Sequence, residues 1–235
     1  MITWKKEGTS IPKCNMYPIL KRLLDICIAG IALLILLPLF IIVILVLSVT
    51  GEREIFYRQS RIGLKNRNFK ILKFATMMKN SLNIGTGAIT LRNDPRVTPF
   101  GKYLRMTKVN ELPQIFNVLT GDMSIVGPRP LVTSTFDAYP EEIRYKVYDS
   151  VPGITGVGSI VFRDEEKLIS ASGMEPSAYY KQYIAPHKGE LEIWYNANKS
   201  LWVDIKLIFI TAWVIIFPES NILYLWFPSL PKKQF

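Results

Sequence analysis

Between Arg105 and Pro130 the sequence reads RMTKVNELPQIFNVLTGDMSIVGPRP, and residues able to handle charge lie closest together here. Arg105 and Lys108 supply cations, Glu111 supplies one carboxylate beside the amide of Asn110, and Arg129 stands between Pro128 and Pro130. Each proline fixes its own φ and restricts the residue before it, so this turn presents the guanidinium fork at low entropic cost. Such a fork suits an anion, a phosphate above all. A bland reading exists for each piece. Pro-Arg-Pro is also an ordinary loop, and an Asn-Glu pair at a helix start is also a cap beside a dipole-favoured acid.

Several elements must position these groups. Leu112, Ile115, Phe116, Val118 and Leu119 carry a helical spacing that Gly121 terminates, and Asp122 to Val126 reads as a short extended or turn segment before Gly127. Ile55-Phe56-Tyr57 and Phe69 to Phe74 form a hairpin pattern around Gly63-Leu64-Lys65-Asn66, with Arg58, Arg61 and Lys73 as a solvated face or the lining of a phosphate pocket. Residues 80–93 read as a loop, Asp94 as a turn residue, and 94–101 as the lead into the helix bearing Arg105. Phe136 to Asp149 predicts an exposed amphipathic helix. The run from Pro152 to Gly158 is a glycine-rich turn without dinucleotide or Walker register, suited to close backbone approach to a ligand or membrane. Tyr179 to Tyr195 reads as an aromatic-rich helix, and Leu201 to Phe217 as a last apolar helix whose tryptophans favour a membrane interface.

The 29 basic residues exceed the 19 acidic ones by ten, which calls for an anionic partner. No nucleic-acid motif accompanies the charge, so phosphate-bearing substrates and anionic lipid lead and nucleic acid is set aside. Cys14 and Cys27 make neither a disulfide framework nor a metal site, and His187, the single histidine, reads as a surface residue. From Ile26 to Thr50 no charge appears. Twenty-five helical residues reach about 37 Å, more than the roughly 30 Å of a hydrocarbon core, and no small-residue cleavage site follows them. Pro38 divides this run into two arms of about 18 Å, each too short to cross alone. Basic residues flank both ends, which pulls both to the cytoplasmic face and favours a re-entrant helix over a span.

Six stretches together carry a resemblance along most of the chain: Lys21-Arg22-Leu23-Leu24-Asp25, Phe56 to Gly63, Phe69 to Met77, Asn110 to Gln114, Gly121 to Pro130, and Pro152 to Gly156. In this set the chain resembles the bacterial sugar transferases, monotopic polyprenyl-phosphate phosphoglycosyl transferases that begin glycan assembly on a lipid carrier. The resemblance implies a bent helix held by Lys21, Arg22 and Asp25, broken near Pro38, entering one leaflet and returning. It also implies an acidic pair using Mg²⁺, with an aspartate attacking the β-phosphorus of a nucleotide sugar and polyprenyl phosphate then accepting the phosphosugar.

This chain departs from that pattern at the decisive position, where Asn110 replaces the aspartate. Ala75 stands where relatives carry arginine, and Val157-Gly158-Ser159 replaces a Trp-Ala-Gln segment, leaving Arg163 as the counterpart of a second phosphate-binding arginine. The expected fold is mixed α/β of the α+β kind. It comprises an approach segment (1–17), a re-entrant membrane helix kinked at Pro38 (18–50), a small cytoplasmic catalytic domain (51–200) and a membrane-associated apolar helix and tail (201–235). The expected function is transfer of a sugar phosphate from a nucleotide sugar, uridine by resemblance, to polyprenyl phosphate on the cytoplasmic face of the bacterial inner membrane. Glu111 and Asn110 mark the catalytic position, with Glu111 also the expected Mg²⁺ ligand. Arg105, Lys73, Pro128, Arg129, Pro130 and Arg163 are the expected substrate contacts, membrane lipids the expected surroundings, and a homo-oligomer is compatible with the sequence. The rival reading, set by Asn110, is a non-catalytic membrane-anchored binder of nucleotide sugar or lipid-linked sugar.

Overall fold

A computed structural model describes residues 16–79, 81 and 94–233. Residues 1–15 of the expected approach segment, with Lys5, Lys6, Lys13 and Cys14, and the loop expected over 80–93 lie outside the described residues, Ser81 excepted, while Tyr17, expected to close the approach segment, opens the first helix.

The first element, α1, runs from Tyr17 to Val49 without interruption. Thirty-three residues at 1.5 Å each make it about 50 Å long. The expected break at Pro38 is not observed, since the helix continues through it. A proline removes a single N–H, and here packing holds the backbone on both sides: Leu33 and Leu36 before it and Phe40 and Val43 after it all lie against the rest of the chain. The inward stripe extends from Asp25 and Ala29 to Phe40, Val43 and Leu47, all buried, at the three- and four-residue spacing of one helix face. The opposite face is equally apolar yet exposed, with Ile31, Leu34, Ile35, Ile41, Ile42, Leu45 and Val49 uncovered. By length and composition α1 is the one described helix that could cross a membrane.

After α1 the chain forms the hairpin read from sequence. Strand β1 (Phe56–Ile62) pairs antiparallel with β2 (Asn68–Phe74) across a 3₁₀ turn at Leu64–Asn66, placing Tyr57 opposite Lys73. Asp94 does more than turn the chain: its carboxylate is buried and grips the Arg96 guanidinium through both oxygens, at 2.8 and 2.6 Å. Helix α2 (Pro99–Met106) starts on a Thr98 side chain that accepts from the Gly101 N–H. A 3₁₀ turn, Val109–Glu111, leads into α3 (Gln114–Thr120), which ends at Gly121 with φ +94°, the left-handed region glycine adopts without strain.

A short strand, β3 (Ser124–Val126), follows, and the single amphipathic helix expected over 136–149 is instead α4 (Thr133–Phe136) and α5 (Glu141–Val147). Tyr139, Val147 and Tyr148 point into the core, so that segment is less exposed than expected. The glycine-rich turn is strand β4 (Gly153–Thr155), parallel to β3. Its glycines permit close approach of the Gly127 backbone: a Cβ on Gly153 or Gly156 would overlap Gly127 main-chain atoms. Helices α6 (Val157–Val161), α7 (Glu165–Ala171) and α8 (Pro176–Tyr179), a π-helical turn at Tyr180–Ile184, and α9 (Ala185–Asn198) then surround the main core. Within α9 His187 is buried beside Phe162, not on the surface as expected, because its helical position faces α6. The last helices are α10 (Leu201–Ile216) and α11 (Ile222–Trp226). One core cluster gathers Tyr148, Val157, Leu191, Tyr195, Leu207 and Ile210, and a second joins Ala29 of α1 to Ile71, Ile115, Val118 and Met123.

Candidate functional site

The site forms where β2, the 3₁₀ turn before α3 and the loop after β3 converge. Lys108 adopts φ +60°, which reverses the chain after α2 and brings Asn110 and Glu111 round to face β2. Registry with β2 comes from Asn117 on α3, whose Oδ1 accepts the Leu72 N–H and whose Nδ2 donates to the Lys70 carbonyl, both at 2.9 Å. The next residue, Lys73, then places its Nζ 3.2 Å from Glu111 Oε1. Arg129 approaches from the other side, its guanidinium 3.8 Å from the same oxygen. Glu111 is therefore neither sunk in an apolar interior nor remote from Arg129.

Burial favours the neutral form of Glu111, but Lys73, Arg129 and the Lys73 hydrogen bond outweigh it and hold its pKa down at about 2. Glu111 is a carboxylate throughout the physiological range. Burial also lowers Lys73 to about 8, opposed by Glu111 and assisted by Arg61 and Arg129. Arg61 is lowered to about 10, by burial first and by Arg129 second. Five cations, Arg61, Lys73, Lys79, Arg105 and Lys108, line a pocket of about 420 Å³ together with Asn110, Glu111 and Glu54, which pairs with Lys79 at 2.8 Å. Phe56, Tyr57, Met77 and Met78 give the pocket apolar walls, and Ala75 lies in its lining where an additional cation would have projected. Such a cavity fits a polyanion with an organic portion.

Asn110 is buried, and its Oδ1 has no hydrogen-bond partner among the described residues. Arg105 reaches the pocket and donates to Thr76 Oγ1 at 3.4 Å. Pro128 and Pro130 act through their carbonyls, which accept from the Gly153 N–H and from Arg61. Arg163 does not join the cluster. Its guanidinium donates to the Val214 and Pro218 carbonyls and closes the C-terminal end of α10. The expectation that it contacts substrate is corrected accordingly, since a side chain committed to helix-end carbonyls is not presented to a phosphate.

Lys21, Arg22 and Asp25 fasten α1 to the elements that carry the site. Arg22 caps α3 by donating to the Val118 and Leu119 carbonyls at 2.5 and 2.7 Å. Asp25 accepts the Ile125 N–H at 3.0 Å, and Lys21 donates to the Val126 carbonyl at 3.0 Å. Strand β3 is thus clamped by α1 one residue before Gly127. Asn117 was the residue sequence reasoning missed, because an amide on an apolar helix announces nothing until its partner strand is known.

The family model described as bacterial sugar transferase matches residues 16–218. The chain is 33% identical over 211 residues to the UDP-N-acetylgalactosamine-undecaprenyl-phosphate N-acetylgalactosaminephosphotransferase of Aeromonas hydrophila, covering 89% of this chain and 46% of that protein. It is 35% identical over 209 residues to the UDP-glucose:undecaprenyl-phosphate glucose-1-phosphate transferase of Escherichia coli, covering 86% and 41%. An uncharacterized sugar transferase of Haemophilus influenzae is 33% identical over 212 residues, covering 84% and 41%. The chain spans less than half the length of these relatives.

Proposed function

Because the chain belongs to the bacterial sugar transferase family, we propose that it moves a sugar phosphate from a UDP-sugar to a polyprenyl phosphate at a membrane surface. The observation that carries this reading is the ionised carboxylate of Glu111, set between Lys73 and Arg129 at a cation-lined pocket. The relatives' names supply the donor and acceptor classes.

In the step that this geometry favours, a Glu111 carboxylate oxygen attacks the β-phosphorus of the donor. The bond from that phosphorus to the bridging oxygen breaks, and uridine monophosphate leaves with the electron pair. The sugar phosphate is then held as a mixed anhydride on Glu111. An oxygen of polyprenyl phosphate attacks the same phosphorus, forms the lipid diphosphate sugar and returns Glu111 as a carboxylate. Asn110, a neutral amide, is a poor nucleophile. Lys73 and Arg129 neutralise the phosphate oxygens, with Arg61 and Arg105 beside them.

Mg²⁺ fits these residues in a limited way. Glu111 supplies one carboxylate and Asn110 an unpartnered buried oxygen, while the donor diphosphate would provide further ligands, the arrangement Mg²⁺ commonly takes. When bound there it supplies charge neutralisation on the diphosphate.

Asn110 also favours a second reading, a binder of nucleotide sugar that does no chemistry. Full-length protein in detergent, supplied with radiolabelled UDP-sugar, polyprenyl phosphate and Mg²⁺, is expected to form labelled lipid. If it forms none while Asn110→Asp does, the binder reading holds and Glu111 is not the nucleophile.

The finer reading of the membrane element is a monotopic attachment on the cytoplasmic face. Support comes from α1 packing along its whole length, from Tyr17, which donates to Asp204, to Leu47 in the core beside Phe74 and Leu104. A helix with both ends on one domain cannot carry one end to the far side of a bilayer. Its uncovered apolar face, together with Trp202, Phe209, Trp213 and Trp226 on α10 and α11, suits lipid. Single cysteines placed at Met16 and Glu52, in a chain without its own cysteines, should react with an impermeant thiol reagent from the same side of sealed vesicles. Reaction from opposite sides would establish a spanning helix.

A further inference from the structure

The Pro-Arg-Pro turn is held more completely than two prolines require. Across residues 128–131 the backbone offers six polar groups, since neither proline has an N–H, and five of them are hydrogen-bonded. The Pro128 carbonyl accepts the Gly153 N–H at 2.9 Å, and the Leu131 carbonyl accepts the Ile62 N–H at 2.9 Å. The Pro130 carbonyl accepts from Arg61 at 3.3 Å. The Arg129 N–H faces the carboxyl group of Glu192, a buried side chain on α9 that also lies against Gly158. The remaining two groups share one atom: the Tyr148 hydroxyl donates to the Arg129 carbonyl at 2.7 Å and accepts the Leu131 N–H at 2.9 Å.

Tyr148 has no exposed surface, and its ring packs on Phe136 in the main core. The hydroxyl uses its single proton towards Arg129 and a lone pair towards Leu131, so it bridges the turn on both sides of Pro130. The Arg129 side chain, by contrast, is 47% exposed, and its ion pair with Glu111 at 3.8 Å is longer than a hydrogen bond. A locked backbone therefore carries a guanidinium whose donors point at the reactive carboxylate and remain available to a ligand. We propose that Tyr148, seconded by Glu192, is a positioning residue that aims Arg129 at the diphosphate of the nucleotide-sugar donor. This inference rests on the transferase reading of the site. The physical basis is preorganisation: a donor group already aimed loses less entropy on binding than one that must be ordered.

The test uses the full chain in detergent, with UDP as the probe, and measures its dissociation constant and the hydrogen exchange of the Arg129 and Leu131 amides. Arg129→Ala is expected to weaken UDP about 30-fold, the range of a charge-assisted contact, and Tyr148→Phe about 5- to 10-fold. The double variant Tyr148→Phe/Arg129→Ala should be no weaker than Arg129→Ala within about twofold, since Tyr148 acts only through Arg129. Both amides should exchange faster in Tyr148→Phe. Glu192→Gln, which keeps the acceptor oxygen, should retain UDP affinity, whereas Glu192→Leu should lose it, which keeps the claim testable even if Tyr148→Phe fails to fold. Additive losses in the double variant, or unchanged exchange in Tyr148→Phe while Arg129→Ala loses UDP, overturn the positioning role alone. Normal UDP binding by Arg129→Ala, with faster exchange in Tyr148→Phe, would overturn the donor-binding reading and with it the use ascribed to Tyr148.

Discussion

Glu111→Gln should abolish sugar-phosphate transfer, by about 10³-fold or more, while leaving donor binding unimpaired or tighter. The two halves of this expectation come from different properties of one side chain. Glutamine keeps the volume and a hydrogen-bonding oxygen, so the fold and the approach of Lys73 survive, but an amide is a poor nucleophile towards phosphorus. Glu111 also competes with substrate, because its charge occupies Lys73 at 3.2 Å and draws Arg129 to 3.8 Å. Removing that charge releases both cations for phosphate, so KM should hold or fall while kcat collapses. Mass spectrometry of protein incubated with UDP-sugar alone should find the phosphosugar adduct on the unaltered chain and none on Glu111→Gln. Transfer within about threefold of the unaltered chain would remove Glu111 from the chemistry. In the unaltered chain, donor affinity should decline as pH rises through about 8, because burial has brought Lys73 down to that value and its cation is lost there. Glu111, held at about 2, stays charged across the same range and cannot account for the decline.

The parts of this structure that were legible in the sequence are those whose signal is local. The hairpin announces itself by β-forming runs either side of a Gly-Leu-Lys-Asn turn, and α3 by apolar spacing stopped at Gly121. Arg129 and Glu111 were legible because prolines and a lone acid in a basic stretch are chemically conspicuous. What stayed hidden depends on distant pairing. Strands β3 and β4 have three residues each and lie far apart in the chain, so neither shows a period before the other is present. Arg163 looked like a substrate cation by order along the chain, yet the end of α10 claims it. Tyr148 and Glu192 carried no functional signal, since a tyrosine and a glutamate in helical segments read as ordinary amphipathic residues until the turn above them is seen. The unbroken α1 has the same explanation. A proline marks a weak point in a helix, but whether the helix breaks is decided by what packs on either side.

That dependence of α1 on distant partners sets the second large effect, the replacement of Asp204 by alanine. Asp204 lies on the first turn of α10 with no exposed surface, and Lys21 of α1 donates to its Oδ2 at 2.9 Å. Tyr17 donates to the same oxygen at 3.0 Å and Tyr195 to the other at 2.7 Å. Three donors, two from α1 and one from α9, thus meet on one buried carboxylate of α10, and Lys21 also holds β3 through the Val126 carbonyl. Asp204→Ala leaves Lys21, which retains only 12% of its side-chain exposure, without its counter-charge. Losing one partner of a buried pair costs about 3–5 kcal/mol because the surviving charge is uncompensated. In a chain of this size that corresponds to roughly 10 °C or more in thermal unfolding. Removing both charges is a different matter: Lys21→Met/Asp204→Leu should recover most of the loss, since no unpaired ion remains. The site should report the damage differently from the fold: the clamp on β3 one residue before Gly127 depends on the Lys21 ammonium, so UDP binding at Arg129 should weaken in Asp204→Ala and stay weak in the double variant, which lacks that donor. Equal thermal stability of Asp204→Ala and the unaltered chain, measured in the same detergent, would show that this cluster does not anchor α1.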